Sequence, residues 1–287
     1  MKLIVFMVLI ISFGAAHNFT NAPVLVIHGI NDDCDYGIVD EISTYLDTYA
    51  ECYPIGGDEA PIVSIFYNIN HQGRILCERI HQDDYLKDGN FSIMGVSQGS
   101  IVAKYIIEYC PLEHPVRNLV TFGGPHMGVS FVPTFPKESK LGSTLAWIVN
   151  KIVYYRMTQY FLAPADFWRD PNNQEGYFEY SRFLAEANNE KNFDQRRKDQ
   201  WLKLQHATFV MWDNDTTIIP KESSWWGMYS PDLKLLSRFE TDLYKNDLIG
   251  LKTLEESGRA EFISIPGDHM EYTRTQINLI VGPTFIK

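Results

Sequence analysis

Six short, almost wholly apolar runs bounded by turn residues constrain the fold of this 287-residue chain more than any other feature. They lie at residues 23–29, 61–67, 91–95, 116–124, 207–212 and 260–267. Because these runs do not alternate apolar with polar residues, each is typical of a strand buried on both faces. Stretches with helical spacing separate most of them, such as the stripe formed by Ile101, Val102, Tyr105, Ile106 and Tyr109. Strands that alternate with helices predict an α/β fold, with a mainly parallel central sheet flanked by helices.

The alternation is interrupted between about residues 130 and 205, where the chain is rich in aromatic residues and has helical runs without a clear strand. We interpret this segment as a helical cap inserted into one domain that spans residues 17–287. The chain length fits one large domain. With 45% hydrophobic and 21% charged residues, the composition is that of a globular protein and not of a disordered one.

The N-terminus has the layout of a secretory signal peptide. Lys2 precedes the apolar run "LIVFMVLIISF", which is followed by the small residues Gly14, Ala15 and Ala16. We therefore expect residues 1–16 to be removed. The run is shorter than the roughly 20 apolar residues of a membrane span, so we expect no transmembrane segment.

Two features fit passage through the secretory route. The chain has four cysteines, for which an oxidising compartment favours two disulfides, and three connectivities are possible. N-glycosylation sequons occur at Asn18, Asn90 and Asn214.

The charge argues against a nucleic-acid partner. The formal net charge is −11, and the longest basic run is "RRK" at residues 196–198. A phosphate backbone needs clustered Lys and Arg side chains, so this class of partner is excluded.

The sequence "IMGVSQGSI" joins the third apolar run to a predicted helix and marks the first candidate catalytic residue, Ser97. Small residues two places before and after a serine allow a strand and a helix to approach closely, which exposes the serine above the sheet. Gly95 and Gly99 occupy these two places. The alternative is an ordinary loop serine, but the strand-turn-helix setting favours a nucleophile.

A serine nucleophile needs a base and an acid, and on sheets of this kind they follow it in the order serine, acid, histidine. Among the histidines after Ser97, His269 has a strand-end acid before it and itself follows the last predicted strand. The run at 207–212 ends in Asp213 and Asp215, and the residues alone do not separate these two. Asp268 is a poorer candidate, because an immediate neighbour of His269 rarely reaches the far ring nitrogen.

An oxyanion intermediate needs backbone N–H donors, one after the nucleophile and one from the loop after an early strand. Gln98 and Ile30 hold these positions. For His28, in the same early loop, we favour a structural hydrogen-bonding role over proton transfer.

Eight segments in the same order as in a known family make the match specific: "HGINDDC", "GVSQGS", "GGPHMGV", "FWRDP", "FLAEANNE", "WDNDTTIIP", "SSWWGMY" and "PGDHMEY". Together the chain resembles the palmitoyl-protein thioesterases, and the lysosomal first type more than the second. The resemblance implies an α/β-hydrolase fold without a metal or organic cofactor. It implies an enzyme that removes long-chain fatty acyl groups from cysteines of S-acylated proteins or peptides, in lysosomes or after secretion, and we expect a monomer.

The resemblance also assigns residues. It places the nucleophile on Ser97 and the catalytic histidine on His269, and it selects Asp215 as the acid. The family's disulfide between the helices on either side of the nucleophile strand falls on Cys77 and Cys110. Cys34 and Cys52 are then left to pair with each other.

Two other functions are compatible with this sequence. A serine esterase or lipase acting on oxygen esters would have the same triad, and a non-catalytic lipid-binding relative would keep the fold. A long acyl chain needs an apolar groove, for which the candidates are aromatic residues of the insertion: Trp147, Tyr160, Phe161, Phe167 and Trp168.

Overall fold

The computed structural model of the protein describes residues 19–131 and 152–286. The strands are β1 (Val24–Ile27), β2 (Ala50–Cys52), β3 (Ser92–Val96), β4 (Asn118–Phe122), β5 (His206–Trp212), β6 (Met228–Tyr229), β7 (Leu235–Leu236) and β8 (Ala260–Ile265). Six of them form one sheet in the order β2-β1-β3-β4-β5-β8, and every neighbouring pair is parallel. The strands β6 and β7 form a separate antiparallel pair. The predicted parallel sheet is therefore confirmed.

Helices flank the sheet on both faces. The described α-helices are α1 (Tyr36–Leu46), α2 (Ala60–Phe66), α3 (Ile69–Gln82), α4 (Gly99–Tyr109), α5 (Arg156–Phe161), α6 (Ala163–Asp166), α7 (Gln174–Tyr180), α8 (Leu184–Ala187), α9 (Gln195–Leu202), α10 (Asp242–Lys245), α11 (Leu251–Glu256) and α12 (Arg274–Phe285). Short 3-10 helices lie at Gly57–Glu59, Lys221–Trp225 and Arg238–Glu240.

The central strands are apolar on both faces because each face packs against a separate core. In β3, Ile93 belongs to the core on the side of α3 and α4, whereas Met94 belongs to the core beneath α1 and α12. Leu119 and Val120 in β4 divide in the same way, and all four side chains are fully buried. This two-sided burial explains the absence of alternation in the sequence.

The strand predicted at residues 61–67 is wrong, because residues 61–66 lie in the helix α2 and Tyr67 follows its end. A short, mainly apolar run does not distinguish a strand from a buried helix by periodicity, and Pro61 fits the first turn of a helix. The sheet edge beside β1 is occupied instead by β2, whose sequence Ala50-Glu51-Cys52 has no apolar run to reveal it.

Between β4 and β5, the described residues 152–205 form the helices α5 to α9 and add no strand to the sheet. This agrees with the helical character predicted for the insertion, and its role as a cap stays a prediction. The proposed signal peptide (residues 1–16), Asn18 and Trp147 lie outside the described residues. In the ranges that are described, no helix combines the length and the apolar character needed to cross a bilayer.

Both expected disulfides are present. Cys77 in α3 is bonded to Cys110, which directly follows α4, and Cys34 is bonded to Cys52 at the end of β2. The first bond joins the two helices that precede and follow β3. Such bonds stabilise a fold mainly by restricting the unfolded chain.

A buried carboxyl joins the insertion to the body of the fold. Asp166, at the end of α6, is fully buried and accepts a hydrogen bond from the backbone N–H of Ile69, the first residue of α3, at 2.6 Å. Burial raises the pKa of Asp166 from 3.8 to about 7, although the Ile69 N–H and the charge of Arg182 act in the opposite direction. The neutral carboxylic acid is therefore the form that the fold favours.

We expect this carboxyl to make the fold less stable as the pH rises from about 4 to about 7, since the folded state binds the proton more tightly than the unfolded state there. The contribution is fully present below pH 4 and changes by up to roughly 1.4 kcal/mol for each pH unit. Asp166→Asn, which imitates the neutral acid, should flatten this dependence in urea unfolding curves at several pH values. Asp58→Asn, at an exposed position, is the control, and parallel curves for wild type and Asp166→Asn would contradict the prediction.

Candidate active site

The site begins at the turn between β3 and α4, where Ser97 has a φ of 52°. Positive φ is uncommon for a residue with a side chain and marks strain held by the surrounding structure. Here the Ser97 backbone N–H donates to the carbonyl oxygen of Phe122, the last residue of β4, at 2.7 Å. The turn therefore holds the serine at the carboxyl edge of the sheet.

The two flanking glycines are required by close backbone packing. A Cβ at Gly95 would lie 2.8 Å from the Ser100 Cα, and a Cβ at Gly99 would lie 2.2 Å from the Ile27 carbonyl oxygen. Because the neighbours are backbone atoms, neither clash is relieved by a rotamer change. The glycine pattern of the sequence thus has the physical cause that was predicted for it.

Gly99→Ala should consequently destabilise the protein by about 3 kcal/mol or more and lower its catalytic activity, since the methyl group pushes β1 and the following loop away from Ser97. Urea unfolding and an activity assay would measure both effects. Gly37→Ala is the matched control, because its Cβ would meet only side-chain atoms, of which the Arg274 Nη2 at 3.0 Å is the flexible end. Equal stability of the two variants would contradict the packing argument.

Three side chains form one hydrogen-bonded chain at this edge. The His269 Nδ1 lies 2.7 Å from the Asp215 Oδ2, and its Nε2 lies 2.9 Å from the Ser97 Oγ. A carboxylate only accepts hydrogen bonds, so the proton of the neutral imidazole belongs on Nδ1. The free Nε2 then accepts the Ser97 hydroxyl hydrogen, which is the arrangement that general-base activation of a serine requires.

Asp213 and Asp215, between which the residues alone did not decide, differ in burial and in hydrogen bonding. The Asp215 side chain is fully buried, and its Oδ1 accepts the backbone N–H groups of Thr217 and Ile218 at 2.9 and 2.8 Å. These bonds fix the carboxylate in its orientation toward His269. Asp213 is exposed to solvent, two residues away.

Asp268 is not directed at the imidazole, yet it organises the same loops. Its carboxylate accepts the backbone N–H and the hydroxyl of Thr216, which joins the loop after β5 to the loop after β8. Hydrogen bonds from the backbone N–H groups of Thr216 and His269 hold the pKa of Asp268 below its usual value. The His269 ring also packs edge-on against Trp212, with ring centroids 5.3 Å apart.

The predicted oxyanion donors are the backbone N–H groups of Gln98, which follows Ser97, and of Ile30, in the loop after β1. Neither donates a hydrogen bond to an acceptor in the described part of the chain. Gly29 brings the two segments together, since a Cβ there would lie 3.3 Å from the Ser97 Cβ.

Comparison with known proteins identifies the family of this chain. The model of the palmitoyl protein thioesterase family matches residues 23–269, most of the chain. The chain belongs to the palmitoyl-protein thioesterase family.

Among relatives, the chain is 32% identical to palmitoyl-protein thioesterase 1 of Caenorhabditis elegans, over 92% of each chain. It is 25% identical to lysosomal thioesterase PPT2 of Homo sapiens, over 97% of this chain and 91% of that one. The greater similarity to a first-type member agrees with the motifs. Among solved structures, a monoacylglycerol lipase of Paleococcus ferrophilus shares 14% identity with a TM-score of 0.46 and covers 90% of this chain and 91% of its own.

In this member of the family, a group of polar side chains behind the site went unpredicted. The Gln98 Nε2 donates to the Ser64 carbonyl oxygen at 2.8 Å and to the Gln72 Oε1 at 3.2 Å. The Ser64 Oγ accepts the backbone N–H of Asn31 at 2.8 Å. These bonds tie α2 to Gln98 and to Asn31, the neighbour of Ile30. Their prediction depended on assigning residues 61–67 to a helix.

His28 has the structural role expected of it. The ring is buried, its Nδ1–H donates to the Gly29 carbonyl oxygen at 2.9 Å, and its Nε2 accepts the Ile55 backbone N–H at 3.2 Å. Both ring nitrogens are occupied by backbone groups, which leaves neither for proton transfer.

The aromatic residues of the insertion divide into two sets. Phe167 and Trp168 are buried in the core, whereas Tyr160 and Phe161 are about half exposed and line a surface groove. Of the sequons, Asn90 and Asn214 are both exposed.

Proposed function

We propose that this protein hydrolyses thioesters between long-chain fatty acids, such as palmitate, and cysteine residues of proteins or peptides, through an acyl-serine intermediate. The observation that carries the proposal is the continuous hydrogen-bonded chain from Asp215 through His269 to Ser97. Family membership supports the substrate class, because the relatives are named as palmitoyl-protein and lysosomal thioesterases.

In the first half of the reaction, the Ser97 Oγ attacks the thioester carbonyl carbon while the His269 Nε2 takes the hydroxyl proton. The carbonyl oxygen becomes an oxyanion, to which the N–H groups of Gln98 and Ile30 donate. Collapse of this intermediate breaks the carbon–sulfur bond. The cysteine sulfur takes the proton from His269 as it leaves, which returns the imidazole to its neutral form. Its reference pKa of about 8.5 makes the thiol a good leaving group.

In the second half, water attacks the acyl-serine and gives a proton to the His269 Nε2. The proton returns to the Ser97 oxygen as the fatty acid leaves. Asp215 stabilises the imidazolium in both halves. No metal or organic cofactor is needed for any step.

We infer the cellular setting from the same family and from the N-terminus. Residues 1–16 would direct the chain into the secretory pathway and be removed, and the mature enzyme would act in lysosomes or outside the cell. The two disulfides are compatible with that compartment.

The deciding experiment compares hydrolysis of a palmitoyl thioester with that of the matched oxygen ester by the purified mature protein. We expect faster turnover of the thioester. Preference for the oxygen ester would assign the protein to the general esterases and lipases. Absence of turnover on both esters, in a folded sample, would leave a lipid-binding relative without catalysis.

A further inference from the structure

A surface groove of about 590 Å³ lies between the end of α2, the start of α3 and the helix α5 of the insertion. The Asn68 Nδ2 donates to the Tyr160 carbonyl oxygen at 2.7 Å, and the Asn70 Nδ2 donates to the Arg182 carbonyl oxygen at 3.2 Å. These bonds hold the insertion against the loop after α2, so the groove has fixed walls.

Large apolar side chains line this groove (Phe66, Tyr160 and Phe161) or lie one helical turn from its lining residues (Ile62 and Met157). Ile62 and Phe66 lie one helical turn apart on α2, and Met157, Tyr160 and Phe161 lie on α5. Each is between 48% and 67% exposed. Single exposed apolar residues are common on protein surfaces, but a contiguous group of them marks a surface that meets a partner.

The charge in the groove is opposite to that of the protein. Arg74, Arg182 and His71 line it, and no carboxylate occurs among its described lining residues, although the whole chain carries a formal charge of −11. The Arg182 guanidinium lies 5.2 Å from the centre of the Tyr160 ring. Burial, together with the charge of Arg74, lowers the pKa of His71, whose Nδ1 lies 3.2 Å from the Arg74 Nη2, so the positive charge of the groove is that of the two arginines. Two carboxyl groups act on these side chains: Glu78 on His71, and the buried Asp166 on Arg182.

We propose that this face docks on a membrane surface containing anionic phospholipids. The side chains of Phe66, Met157 and Phe161 would enter the interfacial region, and the guanidinium groups of Arg74 and Arg182 would bind lipid phosphates. Apolar and aromatic side chains beside arginines are the combination that interfacial binding requires.

The docking face is linked to the catalytic site. The Ser64 carbonyl oxygen of α2 accepts the Gln98 side chain, so the helix that carries Phe66 also supports the residue after Ser97. Docking would bring the site to the surface where acyl chains are anchored. That benefit rests on the proposed function, but membrane binding itself does not.

The test is sedimentation of the purified mature protein with vesicles of phosphatidylcholine alone or of phosphatidylcholine with about one third phosphatidylserine. We expect binding to the anionic vesicles and little to the neutral ones. Arg74→Gln with Arg182→Gln should weaken binding by roughly 25-fold, about fivefold for each arginine. Phe66→Ser with Met157→Ser should weaken it by at least tenfold.

The matched control is Leu279→Ser with Arg274→Gln, which removes one exposed apolar residue and one exposed arginine from α12. Because α12 packs on the opposite face of the sheet, this variant should bind like wild type. Ser97→Ala should also bind like wild type, which separates docking from catalysis.

Several outcomes would overturn the proposal. It fails if wild type does not sediment with anionic vesicles, or if the variants of the docking face bind like the control. Thermal unfolding at the wild-type temperature excludes misfolding as the cause of lost binding. If the variants of the docking face bind vesicles like wild type but lose turnover of a soluble long-chain thioester, the groove binds the acyl chain of the substrate instead.

Discussion

Ser97→Ala is expected to lower turnover of a palmitoyl thioester by at least about 10⁴-fold, because the reaction loses its nucleophile while the remaining site still binds the substrate. The variant should also fail to react with a fluorophosphonate probe, which labels activated serines. Steady-state hydrolysis and gel detection of the probe measure the two effects.

The fold should survive this change. The substitution removes one oxygen and keeps the backbone, so we expect an unfolding temperature equal to or slightly above that of wild type, as is common for strained active sites. Ser100→Ala is the matched control, because the Ser100 Oγ donates to the Gly95 carbonyl oxygen at 3.1 Å and does not contact His269. Labelling that persists in Ser97→Ala and disappears in Ser100→Ala would refute the assignment of the nucleophile.

Asp215→Asn is expected to lower kcat by about 10⁴-fold near neutral pH. The carboxamide no longer requires a hydrogen on the His269 Nδ1, so the ring favours the tautomer whose Nε2 cannot accept the Ser97 proton. The imidazolium also loses its counter-charge. The measurement is the pH dependence of kcat for both proteins.

Asp213→Asn is the control for this prediction, because it makes the same change two residues earlier on an exposed side chain. We expect its kcat to stay within about twofold of wild type, as for a surface substitution away from the site. A loss in Asp213→Asn as large as that in Asp215→Asn would mean that the acid has been assigned to the wrong residue.

Much of the fold follows from sequence, since a strand buried on both faces consists mainly of apolar residues. The strands β1, β3, β4 and β5 are buried along their whole length and are mainly apolar. The strand β2 has a neighbour on one side only, so its three residues carry no comparable pattern. The expectation of burial on both faces is wrong for β8, which lies at the other edge of the sheet and is largely accessible, with Glu261 exposed. The helix α2 is the converse case, in which a short, mainly apolar run fits either structure.

The site was predictable where chemistry depends on spacing. The glycines around Ser97 were predictable because close backbone contact leaves no room for a side chain. His269 was predictable because it follows the last strand of the sheet. Asp213 and Asp215 are equivalent by that rule, and their difference arises from the turn that directs one side chain inward. The burial of Phe167 and Trp168 depends on how the insertion packs, which spacing alone does not encode.

Ser97 has only 5% of its surface exposed, and the His269 side chain only 9%. A cysteine within a rigid folded domain cannot bring its thioester carbon to such a recessed atom, whereas a flexible tail or a short peptide can. In the turnover of lipidated proteins, unfolding or proteolytic cutting would then come first and deacylation second. We therefore expect acylated cysteines in flexible segments and short peptides to be deacylated faster than those in structured regions of intact proteins.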